Sequence, residues 1–275
     1  MTKAFSPLLL IGSVTLACAL LGCGGGVSNA TPEGAVSGTI QSLRNNDLKA
    51  LFEHSVAPAD QAEARSAFAA KMAEPARDDE KAQFNSKMTQ LTADGAEDTV
   101  YLLIKPQLAK AQGSLTGAVG MLSMMAMSVV PSEGMSEDEQ KEMQAMLAGV
   151  GEWAGKVDLT DEAKAKQAVG VVCATARDLK VPNYDALTAL SFDDALVKGG
   201  QVMAGLKKVL KIYSFDIDAV LDSAKVGAPV VTGTSASVPL SLTVFGNTST
   251  GDVNLEQVAG KWFAAAPAAD APAME

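Results

Sequence analysis

The feature that most constrains this chain is a change in hydrophobic period near Val226. Before it, apolar residues recur at helical spacing and the breaks carry helix caps. After it, Val238, Leu240, Leu242 and Val244 alternate with Ser237, Pro239, Ser241 and Thr243, a period of two. A chain with a long helical first part and a short period-two end is restricted to the α+β class. The expectation is a mostly helical body (32–225) followed by a C-terminal antiparallel β-meander (226–266), together one α+β domain over 32–266.

The helix starts are written in side chains that bond their own backbone. Thr31-Pro32-Glu33 supplies an N-cap, a proline at the first helical position and an acid in the first turn. Val36, Ile40 and Leu43 follow on one face. Asn45-Asn46-Asp47 ends that segment, and Leu48, Leu51 and Phe52 mark a second. Pro58 opens a third stretch to about Ala73, interrupted by Pro75. Lys81 to Leu91 resumes it, with Phe84, Met88 and Leu91 on one face. Thr99 to Ile104 reads as strand by composition and as buried helix by position. Pro106 allows a helix start or a kink. Ser136 with Glu139 is a capping box for a helix to about Trp153. Thr160-Asp161, Asn183 and Ser191 open helices ending near Leu179, soon after Tyr184, and near Ile212, with a last turn or two over Asp216 to Ala224.

In the C-terminal part, Val230–Thr234, Ala236–Phe245, Asp252–Val258 and Lys261–Ala264 read as strands. Gly246 to Gly251 is a loop between two of them, and Ala259-Gly260 a tight turn. Pro239 marks its strand as an edge, or as beginning there. The Ala/Pro segment 267–275 reads as a disordered tail.

The address is written in the first thirty residues. Lys3 precedes an uncharged, largely apolar run ending in Leu20-Leu21-Gly22-Cys23, followed by Gly24, Gly25 and Gly26. A positive n-region and an apolar h-region form a secretory signal. Its end resembles the lipobox of bacterial lipoproteins. That resemblance implies a signal peptide over 1–22 and a diacylglycerol thioether on Cys23. It also implies cleavage before that residue and acylation of the new amine, with palmitate among the chains. Cys18 is the weaker rival, because cleavage there leaves apolar Ala19-Leu20-Leu21 on the mature side. Two or three acyl chains hold a protein stably at a bilayer, at about 0.8 kcal/mol per buried methylene. Residues 23–31 become a lipidated cysteine and flexible tether, with a reach of roughly 15 Å. Gly24 after the cysteine, in place of aspartate, implies the outer membrane and a periplasm-facing body.

Composition excludes several function classes. The mature chain carries 21 basic and 32 acidic residues. That balance opposes nucleic acid and anionic headgroups, so the membrane is met through Cys23 and no nucleic-acid partner is expected. Aromatics make up 5%, too few to point to stacking platforms for sugars or bases. Cys173 remains as a lone thiol in an apolar stretch without neighbouring cations, and is expected buried and inert.

Catalytic signatures are sparse. The single histidine, His54, follows Glu53 at a helix end, without a nucleophile elbow, and is read as a surface histidine on the helix dipole. No metal set or phosphate loop is written. Neither a cofactor nor an enzyme activity is expected. Met121, Met124, Met125 and Met127 cluster, with Met143 and Met146 following. Thioethers fill irregular cores, line adaptable grooves or bind Cu(I). Core is the first reading, an apolar ligand groove the second, copper the third. Leu115 to Val130 is sixteen residues without a charge, about 24 Å as a helix and short of a roughly 30 Å hydrocarbon core. It is expected to be buried, with the helix after Ser136 covering it as a hairpin arm. Lys198, Lys207, Lys208 and Lys211 are expected on a solvated face, with Val202, Leu206, Val209, Leu210 and Tyr213 opposite.

Two pieces resemble the ends of small bacterial lipoproteins with a nuclear-transport-factor-2-like (cystatin-like) fold. One runs from Thr31-Pro32-Glu33 to Asn46-Asp47-Leu48. The other is the closing hairpin with Leu255 to Lys261-Trp262-Phe263. The resemblance implies a curved sheet around a helix and carries no catalytic residues, because that fold hosts enzymes and binders alike. The function expected is a lipid-anchored envelope protein acting as a non-catalytic binding or scaffold module. The alternative is a carrier of apolar cargo or soft metal through 115–146.

Overall fold

The computed structural model describes residues 28–127 and 137–265. The chain is α+β, with a mostly helical body and a C-terminal antiparallel sheet. Where the sequence pattern predicts one domain over 32–266, the described residues group into two compact units. A sheet unit takes 28–66, 221–242 and 250–265, and a helical unit takes 67–127, 137–220 and 243–249.

In the sheet unit, α1 (Pro32–Arg44) begins where expected, with the Thr31 hydroxyl accepting from Gly34 N–H at 3.1 Å. It ends at Asn46, whose φ of 58° fits a residue that tolerates the left-handed region. Asp47 caps α2 (Leu48–Ser55). Val36 and Ile40 of α1 and Leu48, Leu51 and Phe52 of α2 are buried, and α1 packs against α2, β1 (Lys225–Val226) and β5 (Lys261–Ala264). Buried Asn29 ties these pieces together. Its amide donates to His54 O at 2.7 Å and its backbone carbonyl accepts from Trp262 N–H at 2.8 Å. With that orientation the Asn29 Oδ1 can only accept, so His54 Nδ1, 3.0 Å away, carries the ring proton. His54 is thus half-buried and held by a side chain rather than lying free on the surface.

The sheet order is β1-β3-β4-β5, with β2 (Val230–Thr232) also on β3 (Ser235–Val244), and β4 spanning Asn247–Val258. β3 is central, which corrects the edge assignment drawn from Pro239. One flank of β3 pairs with β2 at Val230↔Ser237 and with β1 at Val226↔Leu240. Pro239 lies between these two ladders, where Gly227 N–H donates to its carbonyl at 2.7 Å. The missing N–H therefore sits at a gap in the pairing. Alternation holds: Val238, Leu240 and Leu242 are buried while Ser237, Pro239 and Ser241 are half-exposed. Of the loop expected over 246–251, Asn247 to Gly251 is strand, and the reversal is confined to Phe245-Gly246. Hydroxyl pairs Ser241/Thr250 and Thr243/Thr248, each at 2.9 Å, zip the two strands. Ala259 and Gly260, both at positive φ, make the expected tight turn before β5.

α3 (Pro58–Ala73) begins in the sheet unit and ends in the helical one. The helical unit contains α4 (Asp78–Thr92), α5 (Ala96–Met127), α6 (Glu137–Lys156), α7 (Glu162–Leu179), α8 (Tyr184–Thr188) and α9 (Phe192–Ile212). α10 (Ile217–Asp222) straddles its end. Asp161, Asn183 and Ser191 cap α7, α8 and α9 as read from sequence. Ala96, Tyr101, Ala165, Val169 and Cys173 form a core cluster, with Leu91, Val100, Ile104 and Leu108 around it. Thr99 to Ile104 is therefore helix. Pro106 neither starts nor ends α5. Leu102, whose carbonyl Pro106 cannot bond, is 67% exposed, so that side of the helix faces solvent.

Three burial expectations are corrected here. Of the charge-free run, Thr116, Gly117, Ala118, Gly120 and Met121 are exposed, and Leu115 and Val119 half-buried. The exposed members apart from Met121 are too small for their exposure to cost much apolar area. The hairpin arm is present: α6 packs along α5, and Gln112 clamps the end of α6 by donating to Val157 O at 3.1 Å and accepting from Leu159 N–H at 2.7 Å. On α9, Val202 and Leu206 are exposed instead of packed, because a small residue, Gly205, makes the close approach to Thr175 of α7. Lys207 is buried instead of solvated, donating to Asp218 Oδ1 at 2.8 Å, with the two side chains 7% and 32% exposed. Ser136 and the tail 267–275 lie outside the described residues.

The Lys207–Asp218 pair gives an asymmetric expectation. Asp218→Ala leaves an ammonium buried without this partner and should cost about 3 kcal/mol, whereas Lys207→Met replaces the charge by a chain of similar shape and should cost much less. Urea denaturation followed by circular dichroism reads both; equal losses would show that the pair is not the source of the effect.

Candidate functional site

One face of α6 carries Gly149, Glu152, Trp153 and Lys156, spaced to lie together on a helix. They line a cleft of about 290 Å³ with Val157, Lys164 at the start of α7, Tyr213 and Ser214 at the end of α9, and Phe245 of the β3–β4 turn. All of these residues belong to the helical unit.

The wall of the cleft is aromatic. Trp153 and Phe245 stack at 5.5 Å between ring centres, Phe245 and Phe215 at 5.0 Å, and Trp153 meets Phe215 tilted at 5.5 Å. Such pairs contribute about 0.5–1.5 kcal/mol each beyond area burial. The indole Nε1–H donates to Tyr213 O at 2.8 Å, which fixes the Trp153 ring. Phe245 has φ of 50° and Gly246 φ of 80°, a turn whose first position favours Asn, Asp or Gly. A phenylalanine held there despite that preference points to what its ring does against Trp153 and Phe215. The turn is fastened to α6 by Asn247, whose amide donates to Ala145 O at 3.1 Å, and by Ser249 and Glu142, 3.2 Å apart. A Cβ on Gly149 would lie 2.9 Å from both Phe245 Cβ and Asn247 Nδ2, so only glycine admits the turn this closely.

Charge is mixed around the rim. Glu152 and Lys156 form a pair at 2.6 Å, and the hydrogen bond and charge of Lys156 hold the Glu152 carboxyl below the usual carboxylate range. Lys164 is half-buried and forms no salt bridge among the described residues, although its charge reaches Asp158. Burial, then Asp161 and Asp158, push the Tyr213 phenol up, so it stays a neutral donor at neutral pH. The Thr160 hydroxyl and amide hold Asp158 ionised.

No family model matches the chain, and no curated protein or solved structure matches it. Its chemistry is read from its own residues alone.

The residues singled out from sequence lie elsewhere. Met121 on α5 is 64% exposed, Met146 on α6 39%, and Met143 half-buried. Met124, Met125 and Met127 end α5, but their side chains lie outside the described residues, as does Cys23. Among the described residues no cluster of three His, Cys, Asp or Glu side chains is placed to hold a metal. Cys173 is fully buried in the core cluster, and that burial raises its thiol pKa. A low aromatic content argued against stacking surfaces, yet three of the few rings gather at one place. The local signal was Phe245 itself, an aromatic directly before glycine where a reversal falls.

Proposed function

We propose that this is a lipid-anchored envelope protein, tethered through Cys23, whose folded part is a non-catalytic binding module. The anchor rests on Leu20-Leu21-Gly22-Cys23 at the end of an apolar, charge-free run. The sheet unit, with α1 against β1 and β5, is read as the cystatin-like part of such a lipoprotein. The observation that carries the binding role is the cleft walled by Trp153 and Phe245 and flanked by Lys164. Ligand pockets combine an apolar wall with a few placed polar groups, and this cleft does the same at the small end of their size range. A second reading, carriage of apolar cargo or soft metal through 115–146, is favoured by the exposure of Met121 and Met146.

Native mass spectrometry of the mature chain, released from detergent, tests both. A small-molecule adduct that disappears in Trp153→Leu is the expected result. A lipid or copper adduct lost in Met121→Ser/Met146→Ser would favour the carrier, and a bare mass throughout would contradict both.

A further inference from the structure

Resting on the reading of the chain as a binding module, we propose that the cleft on α6 is a receptor site for a small aromatic carboxylate. The ring would lie against Trp153 and Phe245, and the carboxylate would meet Lys164 and the Tyr213 hydroxyl.

The wall sets the ring. Trp153, Phe215 and Phe245 already pair with one another, two of the three contacts being stacked within 27° of parallel. A planar guest extends such a stack in an offset arrangement. A quaternary ammonium needs rings turned toward a common centre, and these rings are turned toward each other. A sugar needs several polar groups around it, whereas this wall offers few. The volume of about 290 Å³ admits a one- or two-ring acid.

The charges set the acid. Two lysines line the cleft. Lys156 pairs with Glu152, while Lys164 forms no salt bridge among the described residues and feels Asp158 only as a charge at longer range. A half-buried ammonium gains most from an anion that brings its own charge and accepts hydrogen bonds. Tyr213 lines the same cleft, and its phenol is kept protonated by burial and by Asp161 and Asp158. It can therefore donate to the second carboxylate oxygen. Ser214, at φ of 65°, holds Tyr213 at this edge by turning the chain sharply after α9.

The test uses fluorine NMR on the mature chain in lipid nanodiscs, with empty nanodiscs as the blank. 4-Fluorobenzoate should show saturable broadening. Its neutral isostere 4-fluorobenzamide should bind about tenfold more weakly, the loss of one charge-assisted contact. A saturated acid, 4,4-difluorocyclohexanecarboxylate, should also bind more weakly. Lys164→Met should bring the benzoate to the level of the benzamide and leave the benzamide unchanged. Lys164→Arg should restore the difference, which separates charge from folding. The proposal is overturned by equal binding of acid and amide, by a benzoate affinity indifferent to Lys164→Met, by displacement with tetramethylammonium, or by no saturable broadening at millimolar probe. Palmitate labelling of the same sample reports the anchor independently. A Trp153-dependent native adduct alongside a silent fluorobenzoate would leave the binding role standing and sink only the acid.

Discussion

Cys23→Ser is expected to abolish incorporation of labelled palmitate. On the proposed lipoprotein reading the sulfur would accept the diacylglycerol, and a hydroxyl cannot replace a thiol as the nucleophile in that step. Without the thioether the peptidase has no substrate, so the leader should remain and the protein should migrate as a larger species. On that reading two or three acyl chains would hold the protein at the bilayer; no described helix is long and apolar enough to cross one. Cys18→Ser should label as wild type. Equal labelling of the Cys23→Ser chain would refute the assignment.

Phe245→Ala should cost about 2–3 kcal/mol, less than a fully buried phenylalanine because the ring is half-exposed. The loss has two origins: the ring contacts to Trp153 and Phe215, and a residue still held at positive φ. Phe245→Asn separates them. Asparagine accepts that backbone conformation more readily, so it should recover about 0.5–1 kcal/mol of the alanine loss without restoring the ring. Urea midpoints read the energies. Tryptophan emission reads the site, because Trp153 loses its cover while Trp262 is buried in the sheet unit. A Phe245→Asn protein as stable as the wild type would mean that the rings contribute nothing.

What the sequence made legible was local. Thr31, Asp161, Asn183 and Ser191 each accept from a backbone N–H three residues on, so the signal and its structure fall within one turn. The alternation along β3 and the Ala259-Gly260 reversal are equally short-range. What stayed hidden depends on partners far along the chain. Lys207 looked solvated until Asp218 stood beside it. Pro239 looked like an edge marker until β1 and β2 were both placed on one flank of β3. The exposure of 115–121 depends on which face of α5 its neighbour α6 covers, which spacing alone does not reveal. The aromatic cleft joins residues 153, 215 and 245, and no window of sequence contains all three.

The helical unit takes its last seven residues, 243–249, from a hairpin whose remainder belongs to the sheet unit. Neither unit is therefore a contiguous stretch of polypeptide that can be cut out and expressed alone. A nascent chain that has delivered every helix through α10 still lacks Phe245, and its Trp153 has no ring to stack on from that side. Completion of the cleft waits on about the final tenth of synthesis, so a premature stop between Ser223 and Phe245 yields a species with all its helices encoded and no finished binding surface.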